Sequence, residues 1–312
     1  MCTAIKFNDS EDNLYFGRNL DWSCGYSQKV VITPIGYKPN SPFRAIKEIQ
    51  YPVIGMGIIE EDTPLYFDCA NNQGLAIAGL NFPGYAEYLP GNFLDESILK
   101  IAAFEFPLWV TANHKTVEEV KRGLVNAAIL DRPINEKYPS SLLHWIISDN
   151  NNCIVVEQTK NGLEIFDNPF GVLANQPGFD YHRENLKNYL NLSAEVPSPI
   201  GELSAYGPGC GMRGLPGDYY STSRFVRAEY LNRNYPIKET EKENVNKMFH
   251  LLQGVSMIDG AAKMINRDFE KTIYSSCYSC KTNTYYFMDY DDFTIKKVEL
   301  DENIIHEEEL IV

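Results

Sequence analysis

The chain has 312 residues, 44 % of them hydrophobic and 12 % aromatic, enough to bury a sizeable core as one large domain or two ordinary ones. Forty-two acidic residues against 28 basic ones give a net charge of −14 with no cluster of Lys and Arg, which argues against nucleic acid and anionic membrane surfaces as partners. No window approaches the roughly 18 apolar residues of a membrane span, and no basic start followed by an apolar run marks a signal peptide, so the expectation is a cytoplasmic protein.

Alternating or apolar runs predict strands over 2–7, 13–20, 28–34, 52–59, 65–70 and 74–82. Helical spacing follows over about 94–112 and 116–129. Four more strand-like runs, "LLHWIIS", "CIVVEQ", "LEIF" and "GVLAN", are separated by turn clusters such as "DNNN" and "TKNG". Helical patterns return at 180–190, 221–233 and 242–254, and the end is strand-like from "TIYSS" through "TNTYYFMDY" to "TIKKVEL". Meanders of strands interrupted by helix pairs predict an α+β fold, with antiparallel sheets and helices packed outside them. No repeat, low-complexity tract or linker is visible. The stretch 191–220 is rich in Pro, Gly and Ser and long for a loop, which marks it as functional or interfacial.

Three motifs invite readings that their contexts do not support. "GCGMRG" at 209–214 fits a dinucleotide fingerprint, with Glu229 downstream, but no buried strand precedes it and "LPGD" follows where a helix should start. "CYSC" at 277–280 could be half a zinc site or a redox pair, yet it sits in a strand pattern with no second ligand pair. The five histidines form no i, i+4 pair, and His144 in "LLHWII" reads as a satisfied core residue. Seven scattered cysteines without an export signal do not suggest a disulfide framework, and Cys69 and Cys153 lie in apolar runs as small buried hydrophobes.

Cys2 is different. Initiator methionine is commonly removed before so small a residue, which would leave Cys2 holding both a thiol and a free α-amine. An α-amine titrates at roughly 7.7–8.0 and a thiol at about 8.5, so the amine can act as base beside the sulfur near neutral pH. In "NLYFGRNLDW", Leu14, Phe16, Arg18 and Leu20 share one strand face, which aligns Arg18 with the inward apolar set. A buried guanidinium is costly unless paired, so its placement points to a site. Asp21 falls on the opposite face, and the chain must bend after Leu20 if the two are to serve one pocket. In "STSRFVRAEYL", Arg224 lies along the apolar helix stripe, whereas Arg227 sits at its edge.

The segments "MCTAI", "YFGRNLDW", "YFDCAN", "GLAIAGLNFPGY", "SLLHW", "LANQPGFDYH", "GLPGD" and "SRFVRA" together resemble the choloylglycine hydrolases, and more narrowly the bile salt hydrolases of Gram-positive gut bacteria. The resemblance spans residue 2 to about 290 with the motifs in the family's order. It implies a single N-terminal-nucleophile hydrolase domain over 1–312, a four-layer αββα sandwich of antiparallel sheets. It also implies that Cys2 is the nucleophile and its amine the base, that Arg18 supports the thiolate, and that Asp21 contacts the amine and the scissile amide. Asn175 and Asn81 would donate to the oxyanion, with Arg224 completing the charged network. Asparagine suits that task because its NH₂ donates without bringing a titrating charge.

The implied reaction is hydrolysis of glycine- or taurine-conjugated bile salts, with no metal or organic cofactor and with a homotetramer as the assembly. Penicillin V acylases share the mechanism, but often carry Tyr where this chain has Asn81. A steroid needs a broad apolar cleft, for which Trp22, Tyr26, Ile58, Ile59, Leu130, Ile134 and Tyr138 are the candidates. Tyr219 and Tyr220 could alter the pocket mouth or a subunit contact. Two readings from other classes stay open: a catalytically silent bile-acid-binding protein with Met1 retained, and a zinc or redox protein built on "CYSC".

Overall fold

The computed structural model describes residues 1–265, 267–301 and 310–311. In chain order the strands are β1 (Cys2–Asn8), β2 (Leu14–Trp22), β3 (Lys29–Thr33), β4 (Val53–Glu60), β5 (Thr63–Asn71), β6 (Ala76–Asn81), β7 (Leu89–Pro90), β8 (Leu99–Ala102) and β9 (Ala127–Asp131). They continue as β10 (Leu143–Ser148), β11 (Cys153–Thr159), β12 (Gly162–Asp167), β13 (Val172–Leu173), β14 (Ala262–Lys263), β15 (Phe269–Ser279), β16 (Thr284–Asp289) and β17 (Asp292–Glu299). The α-helices are α1 (Phe106–Asn113), α2 (Val117–Leu124), α3 (Phe179–Asn185), α4 (Ser221–Asn234) and α5 (Glu241–Gln253).

Two antiparallel sheets dominate. One runs β13-β1-β2-β15-β16-β17, with β14 beside β15, and the other runs β12-β11-β10-β6-β5-β4-β3. Their facing surfaces share an apolar core, to which the first sheet brings Ala4, Leu20 and Tyr274 and the second Ile54, Ala78 and Ile146. Helices α4 and α5 cover the outer face of the first sheet, where Phe225, Met248 and Leu252 join the same core. Helices α1 and α2 cover the second sheet, packing Phe106, Trp109 and Val120 against Ile77, Trp145 and Ile147. The result is a four-layer αββα sandwich. Strands covered on both faces have no solvent side, which is why eight of the nine β2 residues are buried. Gly17 marks a close approach between β2, β15 and α5: a Cβ there would stand 2.2 Å from Ser276 O and 2.8 Å from a Met248 side-chain carbon.

Two sequence expectations change. The helical pattern at 94–112 contains β8, and the helix starts only at Phe106, where Pro107 is tolerated in the first turn. The pattern at 116–129 ends as a helix at Leu124, and "AAILD" becomes β9, which pairs in parallel with β7 and β8. A short apolar run fits either period, and here the partner strands decide. Helix α2 is fixed at its start by Thr116, which accepts from Glu119 N, and α5 by a reciprocal Thr240–Glu243 capping box.

Candidate active site

Cys2 opens β1 opposite Leu20 of β2 and is 6 % exposed. Arg18, on the same β2, places Nη2 2.7 Å from Cys2 Sγ. Its Nη1 donates to Gly79 O at 2.8 Å and to Phe67 O at 3.0 Å. Phe67 is the unpaired residue of a bulge between β4 and β5, the kind of irregularity that re-aims backbone groups beside a site. Burial works against the Arg18 charge, but the fields of Cys2, Tyr274 and Asp68 outweigh it and hold its pKa above the ordinary value. Asp68 is itself pushed up by burial, against which Arg18 and the hydroxyls of Tyr274, Tyr285 and Ser276 pull. Those three hydroxyls donate to it at 2.5, 2.6 and 3.0 Å.

Asp21 reaches the same cavity without an end to β2. No bend follows Leu20, since β2 runs on to Trp22; it is the neighbouring strand that is irregular there, with Ile273 of β15 the extra residue between the pairs Thr272↔Asp21 and Tyr274↔Leu20. Thr272 Oγ1 accepts from Met257 N at 2.8 Å, so its own proton goes to Asp21 Oδ1, 2.6 Å away. Asp21 Oδ2 has no hydrogen-bond partner among the described residues and lies 4.0 Å from Arg224 Nη1. Burial raises the Asp21 carboxyl, and the N-terminal ammonium and Arg224 oppose that rise.

Arg224 is fully buried on α4 and spends its donors on the N-terminal strand and its neighbours. Nη1 donates to Cys2 O and Thr3 Oγ1, both at 2.5 Å, Nη2 to Asn175 Oδ1 at 2.8 Å, and Nε to Tyr219 O at 2.9 Å. Asn175 Oδ1 also accepts from Cys2 N at 2.6 Å, while its Nδ2 donates to Asn81 O at 2.7 Å. One hydrogen of the Asn175 amide is therefore committed to Asn81, and the second makes no hydrogen bond among the described residues. The Met1 ammonium donates to Asp21 O at 2.7 Å and meets the Glu270 carboxylate, and burial holds its pKa below the ordinary 8.0.

Of these groups, Cys2, Arg18, Asp21 and Asn81 line a cavity of about 440 Å³. Arg224 and Asn175 stand behind Cys2 and are not on its wall. Among the residues expected to bind a steroid, Trp22, Tyr26, Ile58, Ile134 and Tyr138 lie on the wall. Ile59 and Leu130 do not. Ile59 follows Ile58 on β4, takes the opposite face and is 36 % exposed, whereas Leu130 is sealed in β9 between β7 and β8. Leu65, Phe67, Phe104 and Leu143 also stand on the apolar wall and lie outside the residues that the sequence points to. The only available signal for Phe67 was its place in "YFDCAN", where alternation cannot reveal a bulge. Tyr219 and Tyr220 are absent from the wall, and Tyr220 is 65 % exposed.

The other motifs do not converge on chemistry. "GCGMRG" forms a single 3₁₀ turn at Cys210–Met212. Cys277 is buried in β15, while Cys280 Sγ lies near Leu14 N and Asn150 Oδ1. Among the described residues no group of three or more His, Cys, Asp or Glu is placed to hold a metal ion, and no helix is long and apolar enough to cross a membrane.

Comparison with known proteins fits this geometry. The family of linear amide C–N hydrolases, choloylglycine hydrolase family, matches residues 2–312. A bile salt hydrolase/transferase of Bifidobacterium longum subsp. longum is 46 % identical over 316 residues, covering 100 % of this chain and 99 % of its own. A conjugated bile acid hydrolase of Lactobacillus gasseri is 42 % identical over 316 residues, with the same coverage. Among solved structures, the C2A mutant of the conjugated bile acid hydrolase from Clostridium perfringens superposes with a TM-score of 0.90 at 36 % identity, covering 100 % of this chain and 96 % of that one.

Proposed function

The chain belongs to the choloylglycine hydrolase family of linear amide C–N hydrolases, and on that premise we propose that it cleaves the amide of glycine- or taurine-conjugated bile salts. The observation that carries the reading is the Cys2 thiol, held 2.7 Å from a buried guanidinium at the wall of a largely apolar cavity. Such a cavity suits a steroid body with a single amide to present. The relatives named for bile salts and conjugated bile acids support the same substrate class.

Removal of Met1 turns the Cys2 nitrogen into a free α-amine, already directed at Asn175 Oδ1. The thiol proton passes to that amine and the sulfur, with Arg18 beside it, attacks the carbonyl carbon. Negative charge then develops on the carbonyl oxygen, where the remaining Asn175 amide hydrogen and the Asn81 side chain are the donors. The α-ammonium returns the proton to the leaving nitrogen, the C–N bond breaks, and glycine or taurine departs. Asp21 Oδ2, unpartnered and beside the N-terminus, accepts hydrogen bonds from the ammonium and the substrate amide. Water, deprotonated by the same amine, attacks the thioester and releases the bile acid and the thiol. None of these steps uses a cofactor.

We place the enzyme in the cytoplasm as a homotetramer. The assembly finds support in the exposed apolar side chains of the 191–220 loop, Ile200, Leu203 and Tyr206. Incubation of the reduced protein with glycocholate, taurocholate and penicillin V, together with an intact mass, tests the function. Release of glycine or taurine from a protein lacking Met1 is expected. Release from penicillin V alone would transfer the substrate to the acylase class, and no release despite a free Cys2 would refute the assignment.

A further inference from the structure

The segment that carries Asn175 belongs to no helix or strand, since β13 ends at Leu173 and α3 begins at Phe179. Its backbone is nonetheless tied at consecutive carbonyls by two fully buried histidines outside the cavity wall. His144 Nε2 bonds to Ala174 O at 2.8 Å, and His182 Nε2 bonds to Asn175 O at 2.8 Å. A carbonyl only accepts, so both Nε2 atoms carry hydrogen. Each ring is clamped by an aromatic face: Phe82 stacks on His144 with centroids 4.1 Å apart, and Phe225 on His182 at 4.5 Å.

Glu157 closes the frame. Its Oε1 lies 2.9 Å from His144 Nδ1 and accepts from Phe179 N at 3.0 Å, so one buried oxygen joins the second sheet to the start of α3. Gly178 lets the chain pass: a Cβ there would lie 3.1 Å from Glu157 Oε2. His144 also pairs across the ladder with Leu80, the residue before Asn81. The frame therefore sets Asn175 in register with the Asn81 carbonyl that takes one of its amide hydrogens. A buried His–Glu pair is a weak source of stability, because desolvation offsets most of its attraction. What a fully satisfied buried network supplies is a fixed geometry.

We propose that His144, Glu157 and His182 are positioning residues for the oxyanion donor: they lock the 174–179 backbone so that the free hydrogen of the Asn175 amide points at the developing charge. This rests on the amide-hydrolase reading above. The substitutions H144L, H144Q and E157Q test it through steady-state kinetics, with alkylation of Cys2 by iodoacetamide as the readout of the thiol. H144L should lower kcat by about 100-fold, the scale of losing one oxyanion donor, with KM and the alkylation rate within about twofold of wild type. H144Q keeps a donor for Ala174 O and should recover about tenfold of that loss. A kcat for H144L close to wild type, or a loss matched by slower alkylation, would overturn the proposal. Should H144L fail to fold, E157Q decides, because Gln still accepts from Phe179 N. A fall of about tenfold in kcat at constant KM is expected there, and an unchanged kcat refutes the frame. Acylation of Cys2 by an aryl ester, which needs the oxyanion donors but no bile-salt recognition, repeats the comparison. A failed substrate assignment is thereby kept distinct from a failed frame.

Discussion

His182 offers a stability test whose sign and size both follow from its surroundings. Burial pushes its pKa from the ordinary 6.5 down to about 4, with the donation to Asn175 O, the fields of His144 and Arg224, and the backbone near Pro177 as lesser influences. Nδ1 makes no hydrogen bond among the described residues, so a second proton would be poorly held in the core. The unfolded chain takes up a proton as pH falls through 6.5, while the folded chain refuses it until about 4. The folded state therefore binds fewer protons in that window, and stability present above pH 6.5 is lost progressively toward pH 4. At roughly 1.4 kcal/mol per pH unit the full loss is about 3 kcal/mol. Over 312 residues this corresponds to a fall in Tm of about 4–5 °C. Asp21 and Asp68, both raised by burial, contribute with the opposite sign, so the wild-type curve alone is a sum. The informative quantity is the difference between wild type and His182→Gln, which keeps a donor for Asn175 O but has nothing to titrate. Calorimetric Tm values at several pH values between 7 and 4 should show the two proteins diverging as pH falls, with the variant the less sensitive. Parallel curves would refute the reasoning.

Cys2→Ala should fold as the wild type does and lose turnover by at least about 10³-fold, measured as amine released from glycocholate; substantial residual turnover would remove Cys2 from the nucleophile's role. Thr272→Val is nearly isosteric but strips Asp21 Oδ1 of its donor and Met257 N of its acceptor. It should cost about 1–3 kcal/mol in urea unfolding and about tenfold in kcat, and a neutral result in both assays would separate Asp21 from this hydroxyl. Gly17→Ala forces a methyl against Ser276 O and Met248 between β2 and α5. A loss of about 2–3 kcal/mol is expected from such overpacking, read in the same urea titration, and unaltered stability would mean that the first sheet is far softer there than its spacing implies.

The candidate site was legible where one local period sufficed. Arg18 stands in the apolar register of a strand and Arg224 in the apolar stripe of a helix, and a cation in either place must have a buried partner. Asp21 shows where that logic stops. Parity puts it on the face opposite Arg18, where its carboxylate lies 4.0 Å from Arg224, yet it also lines the cavity that Arg18 lines, beside a bulge at Ile273 that belongs to a different strand. Phe67 is the same case from the other sheet, since its bulge is a property of the β4–β5 pairing and not of either strand read singly. The lining was least legible of all: Ile58 and Ile59 are equivalent by composition, and only the direction of the pleat sends the first to the cavity and the second to solvent. The frame behind Asn175 combines both limits. His144, Glu157 and His182 come from β10, β11 and α3; the first two each read alone as a polar residue in an apolar strand, and His182 as one polar residue among several in α3. Their shared purpose appears only once the antiparallel register of β10 and β11 brings residues 13 apart to a separation of 2.9 Å. An apolar core could have sealed that corner of the sandwich without any desolvated polar group, so the presence of three there is best explained by the position they impose on one amide.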